Sequence, residues 1–564
     1  MNNVLNEIVT NAFKKCEYDY EAKIIKSNRL DLCDYQCDDI FKITKIYHKN
    51  PIEIGEEIVN ELNNLEDFDK YFKEVSFARP GFINIKVSDE IINELLNKMI
   101  KDTHFNLTKP NKKELYFLDY GGPNIAKPLH VGHLRTAIIG ESLKRIIKFY
   151  GHDVICDVHL GDYGLQIGEI IYAILKDNIA IDDITLEYLD VTYPKMSKLC
   201  KENENILNEC ALITKELQEG NVEYNKLFRK IYEVSLADIK NIYNYLDVSF
   251  DLWEGESDSY KYIKEVESIL NEKNLLKTSE GARVIEVKEE TDKLEVPPLI
   301  FQKSNKAYLY GTTDLATIYE RVNEYHPNHL IYITDLRQAM HFEQVFRASK
   351  KWGITKDITL QHLGYGTVNG SDGKPFKTRN GDAAKLNDLL NLVKENLIAS
   401  KENNKDMKEE DLDIITNAIV KFADLQNNFE KDYIFDINKF SNVTGKTGPY
   451  ILYTYLRINK ILNQEKLEIN NLNNIIINSF DRDLRIKILA LEDAVNSAFN
   501  EKKPHYIAEY VYDLCVLTNA FYQNNHIASA DNDIKQQWLL LFNLSNNIIK
   551  ELLNLLVIKI PSKM

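Results

Sequence analysis

The chain has 564 residues, of which 44% are hydrophobic and 28% are charged, and its formal net charge is −16. This length exceeds what a single hydrophobic core supports, so we expect roughly three or four domains. The acidic balance excludes a general nucleic-acid binder, because non-specific binding depends on neutralising phosphates, although a local cluster of lysines still permits a specific RNA partner.

Membrane, export and metal signals are weak in this sequence. No apolar run reaches the roughly 20 residues that a membrane helix needs, and the first residues lack the apolar core of a signal peptide. The seven cysteines are odd in number and widely spaced, which does not fit a disulfide framework. Cys33 and Cys37 form a pair, but a four-thiolate zinc site would need a second pair nearby. We therefore expect a cytosolic protein with free thiols, no membrane segment and no metal site.

Residues 1–105 alternate helical and strand-like patterns. Residues 52–64 have helical periodicity, and Asn50 followed by a proline predicts where that helix starts. Residues 78–88 predict a turn and then an alternating strand. The polar run at 109–114 breaks the pattern, so we place a domain boundary there.

A strand–loop–helix–strand pattern comes next. Residues 114–120 predict an apolar strand, 121–128 a loop rich in glycine and proline, 131–151 a helix and 152–161 a second strand. This order predicts a βαβ unit with a parallel sheet. Ligands in such sheets bind beyond the carboxyl ends of the strands, which is where the loop lies.

The remaining sequence contains an insertion, a second α/β stretch and a helical region. Residues 177–300 look like the insertion, polar and helical at first and β-rich later. The α/β pattern resumes with a strand at 329–334, a helix at 341–353 and a strand at 362–368. From about residue 385 strand signals mostly vanish, so we expect the rest to be all-helical.

Two histidines stand at the start of the helix of the βαβ unit. His130 and His133 are three residues apart, so they share a face of the first helical turn. Free backbone N–H groups and the helix dipole favour an anion there, and Gly132 lets a ligand approach the backbone closely. The position predicts a nucleotide triphosphate, with both imidazoles donating to phosphate oxygens. The alternatives are two incidental histidines or half of a zinc site.

The wider motif GGPNIAKPLHVGH (121–133) resembles the HIGH signature of class I aminoacyl-tRNA synthetases, and its PNIAKP flank resembles the arginyl-tRNA synthetase form. The resemblance implies an α/β fold with a Rossmann-like parallel-sheet catalytic domain. It also implies that Asp119 and Asn124 contact the bound amino acid, and that His130, Gly132 and His133 bind ATP. The segment 159–171 resembles a part of the family that lines the adenine side. Its implied contacts are Tyr163, Gly164 and Gln166.

Class I enzymes also carry a mobile KMSKS loop over the phosphates, and the sequence offers two versions. The nearly literal copy at 195–198 lies in a polar helical stretch before the second half of the nucleotide fold, so we interpret it as a solvated helix segment. The loop at 370–382 follows the last predicted strand, and its glycines and lysines suit a lid over phosphates. We therefore assign the loop function to 370–382.

That loop departs from the family pattern, because Thr378 stands where the second lysine belongs. Lys127, just before His130, is our preferred source of the missing positive charge. The other possible cations are Lys374, Lys377 and Arg379. Phe376 and Lys377 are the expected ATP contacts of the loop.

A third set of residues should recognise the amino acid. A guanidinium is planar, charged and rich in donors, so its pocket needs a carboxylate and neutral acceptors. Tyr310 and Asp314 can converge if they lie on one helix, because positions i and i+4 share a face. Their segment resembles the family's Y-x-x-x-D motif, and TDLRQAMHF resembles its D-x-R-Q-x-x-H-F motif. The resemblance implies that Tyr310 and Asp314 bind the guanidinium and Gln338 the backbone groups of arginine, with Glu256 as an additional contact.

The resemblance extends to both ends of the chain and gives the domain division. Residues 1–108 resemble the appended α+β domain that meets the tRNA elbow, and residues 391–564 a helical stem followed by an all-helical anticodon-binding domain that opens at 442–462. The catalytic domain would span 109–390, with the insertion at about 177–300. The expected enzyme is a monomeric arginine–tRNA ligase that uses ATP with Mg²⁺, arginine and tRNA(Arg), without a tightly bound cofactor.

Three alternatives remain open. One is another class I synthetase, such as a glutamate or cysteine type, against which the Tyr310 and Asp314 pair argues. The second is a nucleotidyltransferase with the same histidine motif, which would leave the long helical region without a purpose. The third is a non-enzymatic RNA-binding paralogue, against which the intact histidines and Lys127 argue.

Overall fold

The structure is a computed structural model, and it describes residues 1–27, 29, 32–370, 372–374, 376, 385–400 and 407–564. The chain separates into two compact units. The first unit contains residues 1–108, 453–496 and 509–551, and the second unit contains residues 109–452, 497–508 and 552–564. Within the described part of the chain, no helix combines the length and the apolar character that crossing a bilayer requires.

The N-terminal part of the first unit is an antiparallel sheet, of strand order β1-β2-β4-β3, with helices around it. Its elements are α1 (Asn2–Lys15), β1 (Ile24–Lys26), β2 (Tyr35–Cys37), α2 (Ile40–Tyr47), α3 (Pro51–Asn63), α4 (Phe68–Tyr71), β3 (Phe72–Ala78), β4 (Phe82–Val87) and α5 (Asp89–Lys101). The predicted cap of α3 is confirmed, since the Asn50 side chain accepts the Ile52 N–H at 2.9 Å. Strand β3 was not predicted from the sequence.

The second unit is built around a parallel sheet. Its elements up to the last strand of that sheet are β5 (Leu115–Asp119), α6 (Val131–Tyr150), β6 (Asp153–Asp157), α7 (Leu165–Lys176), α8 (Leu186–Glu202), α9 (Glu204–Gln218), α10 (Val222–Tyr245), α11 (Glu256–Glu272), β7 (Leu276–Ser279), β8 (Ala282–Ile285), β9 (Leu299–Gln302), α12 (Tyr310–Tyr325), β10 (His329–Asp335), α13 (Ala339–Trp352) and β11 (Thr359–Tyr365). The strand order is β11-β10-β5-β6, and all three pairings are parallel. The predicted βαβ unit is confirmed.

Helix α6 is fixed against the sheet by one threonine. The Thr136 hydroxyl donates to the Ile333 carbonyl of β10 at 2.7 Å and accepts the Gly121 N–H at 2.9 Å. This side chain therefore links α6, strand β10 and the loop after β5. The arrangement places the first turn of α6 at the carboxyl edge of the sheet.

The segment predicted as an insertion, residues 177–300, is not separate from the parallel sheet over its whole length. Helices α8, α9 and α10 follow α7, but the chain then returns to the end of β6, where Leu252 bridges Asp157 and Gly255 bridges Leu160. Helix α11 therefore begins at the sheet edge with Glu256. The β-rich part is confirmed as the antiparallel sheet β7-β8-β9.

The last part of the chain is mainly helical. Its elements are β12 (Val368–Asn369), α14 (Leu386–Ser400), α15 (Glu409–Leu425), β13 (Tyr433–Ile434), α16 (Ile437–Phe440), α17 (Gly448–Gln464), α18 (Ser479–Leu489), α19 (Leu491–Glu501), α20 (His505–Asn524) and α21 (Asn532–Leu555). The expectation of an all-helical region was wrong at β13, which pairs in parallel with β12. A two-residue strand has no periodicity that a sequence pattern can detect.

Packing within the first unit joins α18 to the N-terminal sheet. Arg482 of α18 donates to the carboxylates of Asp34 and Asp89, each at 2.6 Å. Arg485 is fully buried and pairs with Asp481 at 2.6 Å. Buried arginines with such partners fix the position of a helix, because moving it would leave charges unpaired.

Candidate active site

A cavity of about 890 Å³ opens beyond the carboxyl ends of the parallel strands. Its wall combines the loop after β5, the first turn of α6, the ends of β10 and β11, and the starts of α11 and α12. Eleven of the residues singled out in the sequence line it, two of them being Lys127 and Phe376. The other nine are Asp119, Asn124, His130, Gly132, His133, Glu256, Tyr310, Asp314 and Gln338. The fold thus brings together residues that are widely separated in the chain.

The two histidines form a reciprocal cap at the start of α6. His130 Nδ1 accepts the Gly132 N–H at 3.1 Å, and His133 Nδ1 accepts the His130 N–H at 3.0 Å. A backbone N–H can only donate, so each Nδ1 must be unprotonated and each neutral ring carries its proton on Nε2. Both rings are therefore Nε2–H donors.

Electrostatics favour the neutral form of both rings. Burial lowers the pKa of His133 well below its usual range, and the charges of His130 and Lys127 act in the same direction. Desolvation also lowers the pKa of His130, helped by Arg337 and Lys127. Two neutral N–H donors at a helix start suit an anionic group that gains charge during a reaction.

The position of the His130 ring requires a glycine at position 132, as does the close approach of a ligand. A Cβ at this position would lie 2.8 Å from Cε1 of His130, closer than carbon atoms tolerate. Any other residue would push the His130 ring out of its cap. From the sequence alone, Gly132 was linked only to the approach of a ligand, and its contact with the His130 ring was missed.

The loop after β12 is described only in part. Phe376 lines the cavity, and its N–H donates to the Val368 carbonyl at 3.0 Å. Among the described residues of this loop, Lys374 is not in the cavity wall. Lys377, Thr378 and Arg379 lie outside the described residues.

The literal KMSK copy has a structural role. It lies within α8, where Met196 is buried and packs in a small core with Ala173, Cys200 and Cys210. Lys198 is exposed and pairs with Glu202 one turn later, at 4.0 Å. The interpretation of this copy as a helix segment is confirmed, but it is not solvated throughout, because Met196 is buried.

Tyr310 and Asp314 lie on the first turn and a half of α12, as the i, i+4 spacing predicts. Both line the cavity, and the Tyr310 side chain is 64% exposed. Oδ2 of Asp314 lies 2.5 Å from Nε2 of His341 on α13, which also lines the cavity. The carboxylate therefore has an imidazole partner in this structure.

Glu256 supplies a second carboxylate to the cavity wall. Burial raises its pKa to about 7, and the negative charges of Asp314 and Asp162 add to this effect against the positive charges of His159 and Lys127. A cationic ligand between Glu256 and Asp314 would relieve this repulsion. This half of the cavity is suited to a positively charged side chain.

Asp119 belongs to a buried charge network at the strand ends. Arg321 of α12 is fully buried, forms an ion pair with Asp119 at 2.8 Å and donates a hydrogen bond to Asp157 at 2.7 Å. Although burial opposes it, the hydrogen bond to Asp157 raises the pKa of His159 to about 9. Asp119, Asp157 and His159 are close enough to share a metal ion, but the guanidinium of Arg321 already pairs with both carboxylates, and the protonated His159 supplies a second positive charge. A divalent cation does not fit this arrangement well.

The three residues expected on the adenine side do not line the described cavity. The Tyr163 ring packs edge-on against Phe228 and Tyr260. Gly164 precedes α7, and the Gln166 side chain donates to the Gly161 carbonyl at 3.1 Å. Of the three, Gln166 contacts Gly161, which is in the wall. Their role as adenine contacts stays a prediction.

Several functional-looking residues were missed by the sequence argument. Arg337 and His341 were quoted within a motif but received no role, and both line the cavity. Arg337 pairs with Asp335 at 2.6 Å. Arg321 carried no motif signal, and its position could have been found only from the fold.

Three family models match the chain along its length. The model described as "tRNA synthetases class I (R), catalytic domain" matches residues 92–437. "Arginyl tRNA synthetase N terminal domain" matches residues 3–87, and "DALR anticodon binding domain" matches residues 451–564.

Curated relatives match over the full length. The "Arginine--tRNA ligase" of Alkaliphilus oremlandii is 40% identical over 584 residues, which covers 99% of this chain and 99% of the relative. That of Agathobacter rectalis is 40% identical over 596 residues, covering 100% and 99%. These relatives and the chain therefore share one domain organisation.

Solved structures agree with this similarity. The arginyl-tRNA synthetase of Plasmodium falciparum superposes with a TM-score of 0.84 at 28% identity, covering 100% of this chain and 99% of the other. The arginyl-tRNA synthetase of Thermus thermophilus gives a TM-score of 0.81 at 22% identity over 100% of both chains, a similarity of fold.

Proposed function

Because this chain belongs to the arginyl-tRNA synthetases of class I, we propose that its cavity is where arginine reacts with ATP before transfer to tRNA. The protein is an arginine–tRNA ligase, an enzyme that joins arginine to tRNA at the expense of ATP. The observation that carries the site assignment is that one cavity holds the two Nε2–H donors as well as the carboxylates of Glu256 and Asp314, each of which raises the local negative charge. The first pair suits phosphates and the second a guanidinium.

In the first step, an oxygen of the arginine carboxylate attacks the α-phosphorus of ATP, and the bond to the leaving pyrophosphate breaks. The products are arginyl-adenylate and pyrophosphate. His130 and His133 donate Nε2–H groups to phosphate oxygens whose negative charge grows in the transition state. Lys127, in the same wall, adds the positive charge that the altered loop lacks. Lys374, Lys377 and Arg379 are the alternatives for that charge.

In the second step, a hydroxyl of the terminal adenosine of tRNA attacks the acyl carbon, and AMP leaves. Class membership favours the 2′-hydroxyl. Arg321 keeps Asp119 in place beside the bound amino acid, while Asn124 and Gln338 offer amide groups to its carboxylate and amine.

Recognition of the side chain rests on Asp314, Glu256 and Tyr310. A guanidinium presents parallel N–H donors that a carboxylate accepts in pairs, whereas a lysine ammonium is a point charge. Lysine would therefore leave acceptors unsatisfied, and discrimination against it should be strong without editing.

The remaining assignments concern partners and domains. Residues 1–108 contact the tRNA elbow, 109–390 carry the chemistry, and 391–564 form a helical stem and the anticodon-binding domain. In support, the N-terminal model matches 3–87 and the anticodon-binding model 451–564, while the catalytic model matches 92–437 and so extends beyond 109–390 at both ends. Mg²⁺ accompanies ATP, as phosphoryl chemistry generally requires. The enzyme acts as a monomer in the cytoplasm.

The test is ATP–pyrophosphate exchange with each proteinogenic amino acid, with and without tRNA. We expect exchange with arginine alone, and dependence on tRNA(Arg). Exchange with lysine at a rate near that of arginine would contradict the assignment of Asp314 and Glu256 to the guanidinium. Exchange with none, together with no binding of ATP, would favour the RNA-binding paralogue.

A further inference from the structure

Helix α8, which carries the KMSK copy, contacts residues that lie beside the histidine motif at the start of α6. Its rear face is fixed, because Met196 and Cys200 are buried against Ala173 of α7 and Cys210 of α9. The face that carries Asp190 and Tyr193 contacts residues next to the histidine motif. The two positions are three residues apart and so share one face of the helix.

Tyr193 faces the lysine to which the missing positive charge is assigned. Nζ of Lys127 lies 5.1 Å from the centroid of the Tyr193 ring, over its face. A lysine side chain has four rotatable bonds, and an aromatic face within about 6 Å attracts its ammonium and narrows the positions that it samples. Lys127 lines the same cavity as His130 and His133, and its positive charge lowers the pKa of both histidines.

A second contact joins the same face of α8 to the motif. Asp190 pairs with Nζ of Lys385 at 2.6 Å. The backbone of Lys385 forms an antiparallel bridge with His130, and the next N–H, that of Leu386, donates to the Leu129 carbonyl at 2.9 Å. Helix α8 is therefore connected to the start of α6 by an ion pair as well as by the tyrosine.

The backbone ahead of the motif is supported by a neighbouring helix of the same segment. The Ser235 hydroxyl of α10 accepts the N–H of Ala126, the residue before Lys127, at 3.1 Å. Ala126 has a φ of 65°, in the left-handed region, so this hydrogen bond stabilises an unusual backbone conformation. The backbone next to Lys127 is thus hydrogen-bonded to α10, and the Lys127 ammonium contacts the Tyr193 ring of α8.

We propose that Tyr193 is a positioning residue for arginine activation, which holds the Lys127 ammonium at the phosphates from outside the nucleotide fold. The proposal rests on the proposed function, because it acts through the role given there to Lys127. It assigns to the inserted helices a part in catalysis, separate from any contact with tRNA.

The experiment compares Tyr193→Phe, which keeps the ring face, with Tyr193→Leu, which removes it. The assay is arginine-dependent ATP–pyrophosphate exchange on the full chain with tRNA(Arg). We expect Tyr193→Phe to stay within about twofold of wild type, and Tyr193→Leu to lose about threefold to tenfold in kcat/KM for ATP. The KM for arginine should not change, since the other end of the cavity is untouched.

The same substitution in a Lys127→Ala background separates positioning from a structural role. If Tyr193 acts through Lys127, Tyr193→Leu has no further effect there. An equal loss in both backgrounds, no loss in either, or wild-type activity of Lys127→Ala would overturn the proposal. A wild-type protein that does not activate arginine would instead overturn the proposed function.

Two controls keep the result interpretable. Lys198→Ala changes an exposed residue of the same helix, within the KMSK copy, and should leave exchange and thermal stability unchanged. If Tyr193→Leu proves unstable, Tyr193→Met replaces the ring by a flexible side chain that can fill its space. Recovery of wild-type exchange in Tyr193→Met would also overturn the proposal, because methionine has no aromatic face.

Discussion

His341 Nε2 lies 2.5 Å from Oδ2 of Asp314, so the carboxylate expected to bind the guanidinium already has a partner in this structure. Although burial opposes it, the hydrogen bond and the charge of Asp314 raise the pKa of His341. A protonated His341 would repel a guanidinium and compete with it for Asp314. Binding of arginine should therefore be easier when His341 is neutral.

This relationship predicts a pH-dependent KM for arginine. Below its raised pKa His341 is charged, and as the pH rises through that pKa the KM should fall. The measurement is the arginine KM between about pH 6 and pH 9 at saturating ATP. In His341→Gln, which keeps a polar side chain without the titration, the dependence should become much smaller.

Other groups that face His341 must be considered in that profile. Tyr310 shares α12 with Asp314, and Glu256 on α11, with a pKa of about 7, should contribute in the same direction because its carboxylate attracts arginine when ionised. His362 on β11 has a pKa lowered to about 4, so it stays neutral throughout. An unchanged profile in His341→Gln would assign the whole dependence to Glu256 and contradict the prediction.

Removal of the Lys127 ammonium should slow activation far more than removal of Lys374. A cation at the phosphates acts mainly in the transition state, so Lys127→Ala should lower kcat by about 100-fold or more with little change in the arginine KM. Lys374, outside the described cavity wall, should have a smaller effect. Single-turnover formation of arginyl-adenylate measures both.

The loop residues Lys377 and Arg379 provide the comparison for this prediction. If alanine at either position lowers kcat as strongly as Lys127→Ala does, the loop supplies the charge itself. A loss with Lys374→Ala that exceeds the loss with Lys127→Ala would reject the assignment to Lys127.

Gly132→Ala should disturb ATP use through the His130 ring. The added methyl would lie 2.8 Å from Cε1 of His130, so the ring must leave its cap. We expect kcat/KM for ATP to fall by about tenfold or more. Complete loss of one transition-state hydrogen-bond donor costs about 100-fold or more, and a displaced His130 ring should cost that much or somewhat less. In a His130→Ala background the clash is absent, and Gly132→Ala should cost much less; an equal cost in both backgrounds would contradict the mechanism.

The buried arginine beneath the cavity should be a determinant of stability. Arg321→Met would leave Asp119 and Asp157 without their shared cation, and breaking such a buried pair costs about 3–5 kcal/mol. Arg321→Lys keeps the charge but cannot span both carboxylates, so its loss should be intermediate. Urea denaturation followed by circular dichroism measures the effect, and a midpoint of Arg321→Met equal to that of wild type would contradict it.

The parts of the fold that could be predicted are those with local signals. The strand–loop–helix–strand pattern, the cap of α3 and the helical nature of the KMSK copy all depend on residues close together in the sequence. Strand β13 and the return of the chain at Leu252 could not be predicted, because both are defined by pairing with distant segments.

The same distinction applies to the site. Residues within short motifs, such as His130 and Asp314, were found from type and spacing. Two partners of motif residues were not. His341, which pairs with Asp314, lies on another helix, and Tyr193, which faces Lys127, belongs to a segment interpreted only as a solvated helix. Such pairs arise from tertiary packing, and no spacing rule connects them.

The most direct test of the site assignment is the steady-state activation of arginine by Asp314→Asn, which keeps the shape of the side chain and removes its charge. The account predicts that kcat/KM for arginine falls by about 100-fold or more, mainly through KM, because a desolvated charge pair is lost. The KM for ATP should stay within about twofold of wild type. An unchanged KM for arginine, or an equal rise in the KM for ATP, would contradict the assignment of Asp314 to the guanidinium.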